Sequence, residues 1–384
     1  MGALDGLLVA DFTRVLAGPY ATMLFADLGA TVIKVERPGV GDDSREWGPP
    51  YADDGQSTYF HAVNRNKSSV TLDFSSPDDV ELARRLCERA DVVIHNFRSG
   101  VMERHGLAYD DLQGTNPGLV YAVVSGFGHE AGAALPGYDL LVQAEGGLMD
   151  LTGPPGQPSK VGVALVDVLA GLHIAVGVLA ALQARAGNGR GQQVHVTLLG
   201  SLLSALVNQS SAYLAGGVVP HSLGNAHPSV APYEPLRAAD RPLVVAVGND
   251  AQFERLCAAI GRSDLVGDAR FATNPQRVLH REDLRTQLEA QFIQQPAAHW
   301  QRMLTEVGVP CGPINDLAGA FAFAEELGLG TVADLDGIHT AANPLGMSET
   351  PPNYRRASPV LGADDDAVRR WLASDAGPPP RLEG

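Results

Sequence analysis

The run Leu7-Leu8-Val9-Ala10-Asp11-Phe12-Thr13-Arg14-Val15-Leu16-Ala17-Gly18-Pro19, carried through Leu28-Gly29-Ala30 to Thr31-Val32-Ile33-Lys34-Val35-Glu36-Arg37-Pro38-Gly39, decides the fold. Residues 7–10 are a short apolar run closing on Asp11-Phe12. A loop follows, and Pro19 stands at a first helical position, where its missing N–H is no loss. The pattern predicts a helix over 19–28 stopped by Gly29, then a strand over 31–36 ended by Arg37-Pro38-Gly39. Such a unit belongs to a parallel sheet, and its right-handed crossover leaves both strand ends on one edge. Working outward, 70–72, 91–94 and 119–124 read as further strands and 78–89 as a helix. The expected fold class is α/β, with a Rossmann-like large domain. The dinucleotide fingerprint is missing, because the first loop offers only Gly18 where three spaced glycines are needed. Gly126-Phe127-Gly128 and Gly187-Asn188-Gly189-Arg190-Gly191 miss the spacing too, which argues against a nicotinamide-dependent dehydrogenase.

Farther along, the stretch VGVALVDVLAGLHIAVGVLAAL at 161–182 is nearly apolar and long enough to cross a bilayer. Asp167, His173 and the glycines point instead to a buried helix of a soluble protein, since an acid in such surroundings needs partners or a task. That helix is expected to start near Val168, followed by a strand at 193–196 and a helix over 198–214. Composition changes at Gly216-Gly217, after which a Gly- and Pro-bearing loop leads to a strand at 243–247 and helices over 251–260, 280–292 and 297–307. The expected division is a large domain over 1–216, a smaller α/β domain over 217–327, and a segment over 328–384 returning to the large domain.

The 384 residues are 45% hydrophobic and 19% charged, which excludes an extended disordered chain. Lys+Arg 28 against Asp+Glu 44 gives a net charge of -16, so neither nucleic acid nor an anionic membrane is expected as a partner. An anionic small molecule would have to be held by individually placed arginines and helix N-termini. Cys87, Cys257 and Cys311 have no zinc or disulfide spacing, so no metal is expected and a reducing, cytoplasmic compartment is. The start Met1-Gly2-Ala3-Leu4-Asp5 lacks the basic and apolar parts of a secretory leader.

Asp167 is the residue of highest chemical interest. It lies where a Gly/Pro loop gives way to the apolar helix, so the helix dipole is expected to favour its ionised form. Such a carboxylate either caps the helix or attacks an activated carbonyl as a nucleophile. Position alone leaves both readings open.

The motifs Asp11–Pro19, Ala26-Asp27-Leu28-Gly29-Ala30, Val32–Pro38, Asn64-Arg65-Asn66-Lys67, Asp91-Val92-Val93-Ile94-His95-Asn96-Phe97-Arg98, Gly137-Tyr138-Asp139, Val166-Asp167 and Cys311-Gly312-Pro313-Ile314-Asn315 occur in order along nearly the whole chain. In this combination the sequence resembles the family III CoA-transferases. The resemblance implies an interlocked, ring-like homodimer that moves CoA from an acyl-CoA to a carboxylic acid through an aspartyl-CoA intermediate. CoA then enters as a substrate, with no tightly bound cofactor. The nucleophile falls on Asp167. The CoA-binding positions fall on Leu16, Ala17 and Arg37, on Leu72 and Ser75, on Asn96, Phe97, Arg98 and Arg104, and on Gly137, Tyr138 and Asp139. Some relatives carry lysine where Ser75 and Gly137 stand. Arg37, Arg98 and Arg104 suit phosphate oxygens as planar, permanently charged donors.

The resemblance extends to alpha-methylacyl-CoA racemases, which need two acid/base groups at the alpha carbon. Where those relatives place a histidine, this chain has Tyr138, a poor base at neutral pH. His129 and His173 are the substitutes, His129 in an irregular loop and His173 read as a satisfied core histidine. Gly224–Tyr233 and Val247–Phe253 are similar to relatives that use succinyl-CoA and dicarboxylic acids, and Asn225 or His227 is expected to meet the second carboxylate. A non-catalytic CoA-ester binding protein is the third alternative.

Overall fold

The computed structural model describes residues 2–374 and 379. The chain runs β1 (Leu8–Phe12), α1 (Ala17–Asp27), β2 (Thr31–Glu36), α2 (Thr58–Asn64), β3 (Lys67–Thr71), α3 (Pro77–Arg89) and β4 (Val92–His95). After the short helices α4 (Val101–Arg104) and α5 (Tyr109–Leu112) come β5 (Val120–Ser125), α6 (Asp139–Glu145), α7 (Leu148–Leu151), α8 (Leu165–Asn188), β6 (Gln193–Thr197), α9 (Leu198–Ala205) and α10 (Val207–Leu214).

All six strands are parallel, in the order β3-β2-β1-β4-β5-β6. The two-residue period of a strand sends alternate side chains to opposite faces, and here both faces are buried. Leu8, Ala10, Phe12, Ile33, Val93 and Tyr121 pack into one layer with residues of α3 and the later helix α16 (Asp365–Ala373). Val9, Val32, Val92, Ile94, Val120 and Val124 pack into the other with α1, α8 and α9. Strand order reverses between β1 and β4, so a crevice opens beyond their carboxyl ends, the usual ligand position in open α/β sheets.

The expected Rossmann-like sheet is present, with local differences: α1 starts at Ala17, so Pro19 is its third residue and not its first. The helix expected over 198–214 is broken into α9 and α10, where β-branched Val207 takes φ 37°, a backbone conformation that L residues rarely adopt. Helix α8 starts at Leu165, before the expected Val168, so Asp167 lies inside its first turn. Helix α8 is long and apolar enough to cross a membrane, yet it is packed on one flank only: Val166, Ala170, Ile174, Val178 and Ala181 are buried, while Leu172, Val176 and Leu179 are 41%, 66% and 38% exposed. His173 stands on the open flank, which corrects its reading as a core histidine.

The chain divides into two compact units. The larger runs to Leu148, resumes over Val161–Val218 and again from Leu329; the smaller comprises Met149–Lys160 and Val219–Gly328. The excursion Met149–Lys160 was not expected to leave the large domain. It does so because its polar groups are satisfied in the smaller unit: Asp150 holds the His221 ring at 2.7 Å and accepts from Ser222 N through its carbonyl at 3.0 Å. The smaller unit holds an antiparallel sheet of β7 (Tyr233–Arg237), β8 (Pro242–Ala246) and β9 (Cys311–Pro313). Its helices are α11 (Asp250–Ala259), α12 (Asn274–Leu279), α13 (Arg281–Phe292), α14 (Ala297–Glu306) and α15 (Leu317–Glu326). Phe253, Leu256, Leu288, Phe292 and Trp300 belong to its core. Back in the larger unit, β10 (Val332–Leu335) and β11 (Ile338–Ala341) form a hairpin before α16.

Candidate active site

The loop after β1 is fixed from below by buried charge. Lys34, wholly buried in β2, donates to the Thr13 carbonyl and to Asp42, each at 2.8 Å. Burial alone would raise the Asp42 pKa, but the Lys34 charge and hydrogen bonds from Lys34 and Ser44 outweigh it and hold the carboxyl far below the usual carboxylate range. Asp42 in turn accepts from Val15 N at 3.1 and 3.2 Å, which pins Val15 at φ 70°. Lys67 pairs with buried Asp11 at 3.1 Å, and Asp11 accepts from Thr13 N at 2.9 Å. From the side, the Asn96 amide after β4 accepts from Arg14 N at 3.0 Å and donates to Arg14 O at 2.8 Å, joining the two loops that flank the crevice.

A cleft of about 250 Å³ opens there, lined by Leu16, Ala17, Asn96, Phe97 and Arg98 on one side and by Gly137, Tyr138, Asp139 and Asp167 on the other. A second hollow of about 420 Å³ adjoins it, shares Arg14 and Phe97, and is lined by Arg37, Leu72, Phe74 and Ser75. Aromatic rings line this second hollow: Phe12 and Phe97 lie 6.1 and 6.4 Å from the Phe74 centroid, and the Arg14 guanidinium is 5.4 Å from the Phe97 ring. The two hollows together offer an apolar end and a polar end at the strand termini.

Asp167 is half-buried, and its carboxylate accepts no hydrogen bond from the described residues. Burial, and then the negative charge of Asp139, push its pKa up to about 7. This corrects the expectation that the helix dipole keeps it ionised. Nor does Asp167 cap α8: Val166 N at 2.8 Å and Asp167 N at 3.3 Å both donate to Asp139 Oδ1. A poorly solvated carboxyl group that titrates near neutrality has the properties a base or a nucleophile needs.

Of the other expected positions, Arg98 is exposed at the cleft, Arg37 pairs with Asp43 at 2.8 Å, and Arg104 is exposed but lines neither hollow. Gly137 has a structural reason to be glycine, since a Cβ there would come 2.7 Å from Gly126 Cα. Ser75 is tied to Asp73 by its hydroxyl at 2.8 Å. Asn225 and His227 lie in the smaller unit, where His227 Nδ1 accepts from Ser229 N at 3.1 Å. His129 is paired with His195 at 2.5 Å, and the residues lining the cleft include no histidine. No group of metal-ligating side chains is found among the described residues.

Sequence reading missed Arg14, although it stands inside the first motif, and it missed Tyr59 on α2. Burial and the charges of Asp167, Asp139 and Asp42 raise the Tyr59 hydroxyl to about 12, so it stays neutral, although it lines neither hollow. The buried lysine was legible in principle: Val-Ile-Lys-Val in a strand with both faces covered demands a partner for the ammonium.

A family model for CoA-transferase family III matches residues 4–365. The succinate–glutarate CoA-transferase of Agrobacterium fabrum is 42% identical over 376 residues, 94% of this chain and 93% of its own. The acetyl-CoA:oxalate CoA-transferase of Acetobacter aceti is 39% identical over 97% of this chain and 96% of its own. Among solved structures, a CAIB/BAIF family protein from Brucella suis superposes with a TM-score of 0.87 at 42% identity, covering 97% of this chain and 99% of that one.

Proposed function

The chain belongs to CoA-transferase family III, and from that premise we propose that it transfers CoA from succinyl-CoA to a free dicarboxylic acid through a thioester on Asp167. The observation that carries the reading is the state of that carboxyl group, half-buried at a cleft, without a hydrogen-bond donor and with its pKa raised to about 7. A carboxylate so poorly solvated loses little on attacking a carbonyl.

The reaction balances without an external energy source. An ionised Asp167 oxygen attacks the thioester carbonyl, the C–S bond breaks, and CoA thiolate leaves a mixed anhydride of Asp167 and succinate. The thiolate attacks the aspartyl carbonyl and expels succinate. The acceptor carboxylate then attacks the aspartyl-CoA thioester, and the thiolate returns to the acceptor carbonyl, releasing Asp167. One activated acyl bond replaces another.

CoA itself is assigned to the paired hollows. Its nucleotide end suits the hollow with Leu72, Ser75 and the aromatic rings, and its phosphates suit Arg37 and Arg98, with Arg104 as a further rim charge. Leu16, Ala17, Asn96, Phe97 and the stretch Gly137-Tyr138-Asp139 line the path to Asp167. The dicarboxylate class is supported by relatives named for glutarate and oxalate. A cleft without a lining histidine disfavours racemisation. A homodimer in the cytoplasm completes the proposal, supported by the exposed apolar flank of α8 and by three free cysteines.

Incubation with succinyl-CoA and a panel of mono- and dicarboxylic acids, with new CoA esters identified by mass, tests the substrate class. Asp167→Ala is expected to bind CoA yet transfer nothing. Transfer retained in that variant rejects the nucleophile, and esters formed equally from monocarboxylates reject the dicarboxylate assignment.

A further inference from the structure

The acid beside the nucleophile has an unusual set of partners. Asp139 opens α6, and its Oδ1 takes two backbone donors from the first turn of α8, Val166 N at 2.8 Å and Asp167 N at 3.3 Å. Its Oδ2 accepts from Gln143 Nε2 at 2.6 Å. Gln143 is buried, one turn farther along α6, and it reaches the same approach segment: its Oε1 accepts from Val161 N at 2.9 Å and its Nε2 donates to Val163 O at 3.3 Å. Two side chains of one short helix thus hold the chain from 161 to 167. Helix α8 needs this help, because its own N-cap residue is Ala164, which has no capping group.

We propose that Asp139 is a positioning residue for the nucleophile: with Gln143 it clamps the start of α8, and it satisfies the N–H groups that Asp167 would otherwise turn back to meet. The inference rests on the reading of Asp167 as the nucleophile. An acidic residue in the first helical turn commonly folds back onto unpaired N–H groups. Here those donors at Val166 and Asp167 are already taken by a neighbouring carboxylate, which leaves the Asp167 oxygens without donors and free to attack. The assignment departs from a CoA contact at this position. Both Asp139 oxygens face protein donors, and a carboxylate beside a polyanionic ligand is repelled by it. The clamp is anchored in turn where the loop after β5 doubles back, since Gly126 and Gly137 meet backbone to backbone two residues before Asp139. The same negative charge also contributes to the raised proton affinity of Asp167.

The test compares wild type, Asp139→Ala and Asp139→Asn in transfer rate against pH, in acyl-CoA affinity, and in hydroxylamine capture of the Asp167 adduct. Asp139→Ala is expected to lower kcat about 10- to 100-fold, as a misplaced reacting group does, with acyl-CoA affinity within about twofold of wild type. Asp139→Asn keeps an acceptor for the α8 N–H groups. It is expected to recover most of kcat and to move the acid limb of the pH profile down by roughly one unit, because the like charge is gone. If Asp139→Ala does not fold, Gln143→Leu, which removes the other half of the clamp, decides in its place by the same readout, a lowered kcat with acyl-CoA affinity unchanged. Acyl-CoA binding weakened about tenfold or more with kcat intact at saturation overturns the clamp in favour of a ligand contact. Absence of the adduct in wild type that is turning over overturns the nucleophile and the clamp together, whereas an adduct in wild type with unchanged kinetics in both variants overturns the clamp alone.

Discussion

Asp167 is held at a cost to the folded chain, and the cost has a sign. Its pKa is raised from about 3.8 to about 7 by burial and by Asp139. Between those values the folded state binds more protons than the unfolded one, so this group makes stability fall as pH rises, with the full penalty present above pH 7. Each unit is worth ~1.4 kcal/mol, which makes the penalty a few kcal/mol at most. Asp167→Asn has the same shape and no charge to desolvate. It is expected to be more stable than wild type by roughly 1–3 kcal/mol at pH 8, and the two proteins should converge at pH 4. Urea unfolding at both pH values checks this, and a gain of equal size at both would show that burial of the charge is not its source. In the proposed reaction the reactivity of Asp167 and this instability share their causes, burial of the carboxyl group and the neighbouring charge of Asp139.

Among the elements, the loops after β1, β4 and β5 decide whether the cleft exists. Asn96→Ala removes both bonds to Arg14, at 3.0 and 2.8 Å, and leaves that backbone unpaired in a half-buried place. The expected loss is about 1–3 kcal/mol of stability with a raised KM for acyl-CoA and a smaller change in kcat, read from steady-state kinetics and thermal unfolding. Gly137→Ala puts a methyl group 2.7 Å from Gly126 Cα, and the strain of forcing the two strands of loop apart should cost about 1–3 kcal/mol. These elements also show what the sequence could and could not carry. The alternation of Leu8, Ala10 and Phe12 against Val9, with Pro19 in the first turn of the helix and Gly29 just past its end, contains the sheet, because those signals act within a few residues. The identity of Asp167 as an acid at a helix start was equally local. Its cap was not, since Asp139 lies 28 residues away and meets α8 only once β5 and its loop have folded. The split of α9 from α10 and the departure of Met149–Lys160 depend likewise on partners elsewhere in the chain. His173 was misread because an apolar helix sequence does not say which flank is covered.

For the molecule as a whole, the returning C-terminal segment packs α16 against the sheet and is also tied to α1 around a buried charge pair. Asp27, fully buried at the end of α1, accepts from Arg65 Nε at 3.0 Å and Nη2 at 2.7 Å, and from Asn66 Nδ2 at 2.8 Å. Arg65 spans the gap to the last hairpin, its Nη1 donating to Ala341 O at 2.7 Å, while Asn343 Nδ2 reaches Asp27 at 3.3 Å. The segment farther on repeats the attachment, with Asn353 N bonded to Asp27 O at 2.8 Å and Arg355 to Ala26 O at 2.8 Å. Because α1 also begins at the cleft, with Ala17 in its lining, the strap connects the C-terminal segment to the same helix that shapes the site. Replacing Arg65 with Met removes the cation and leaves Asp27 buried and unpaired, a change that costs about 3–5 kcal/mol when one partner of a buried pair is lost. Arg65→Met is therefore expected to unfold earlier in urea and to expose new protease sites between 329 and 356. Adding Asp27→Asn removes the stranded charge and should restore part of the stability without restoring protection of the hairpin, since the bond to Ala341 O stays lost. Equal protection of that segment in wild type and Arg65→Met would mean that the hairpin is held by the attachments at Asn353 and Arg355 and not by the guanidinium.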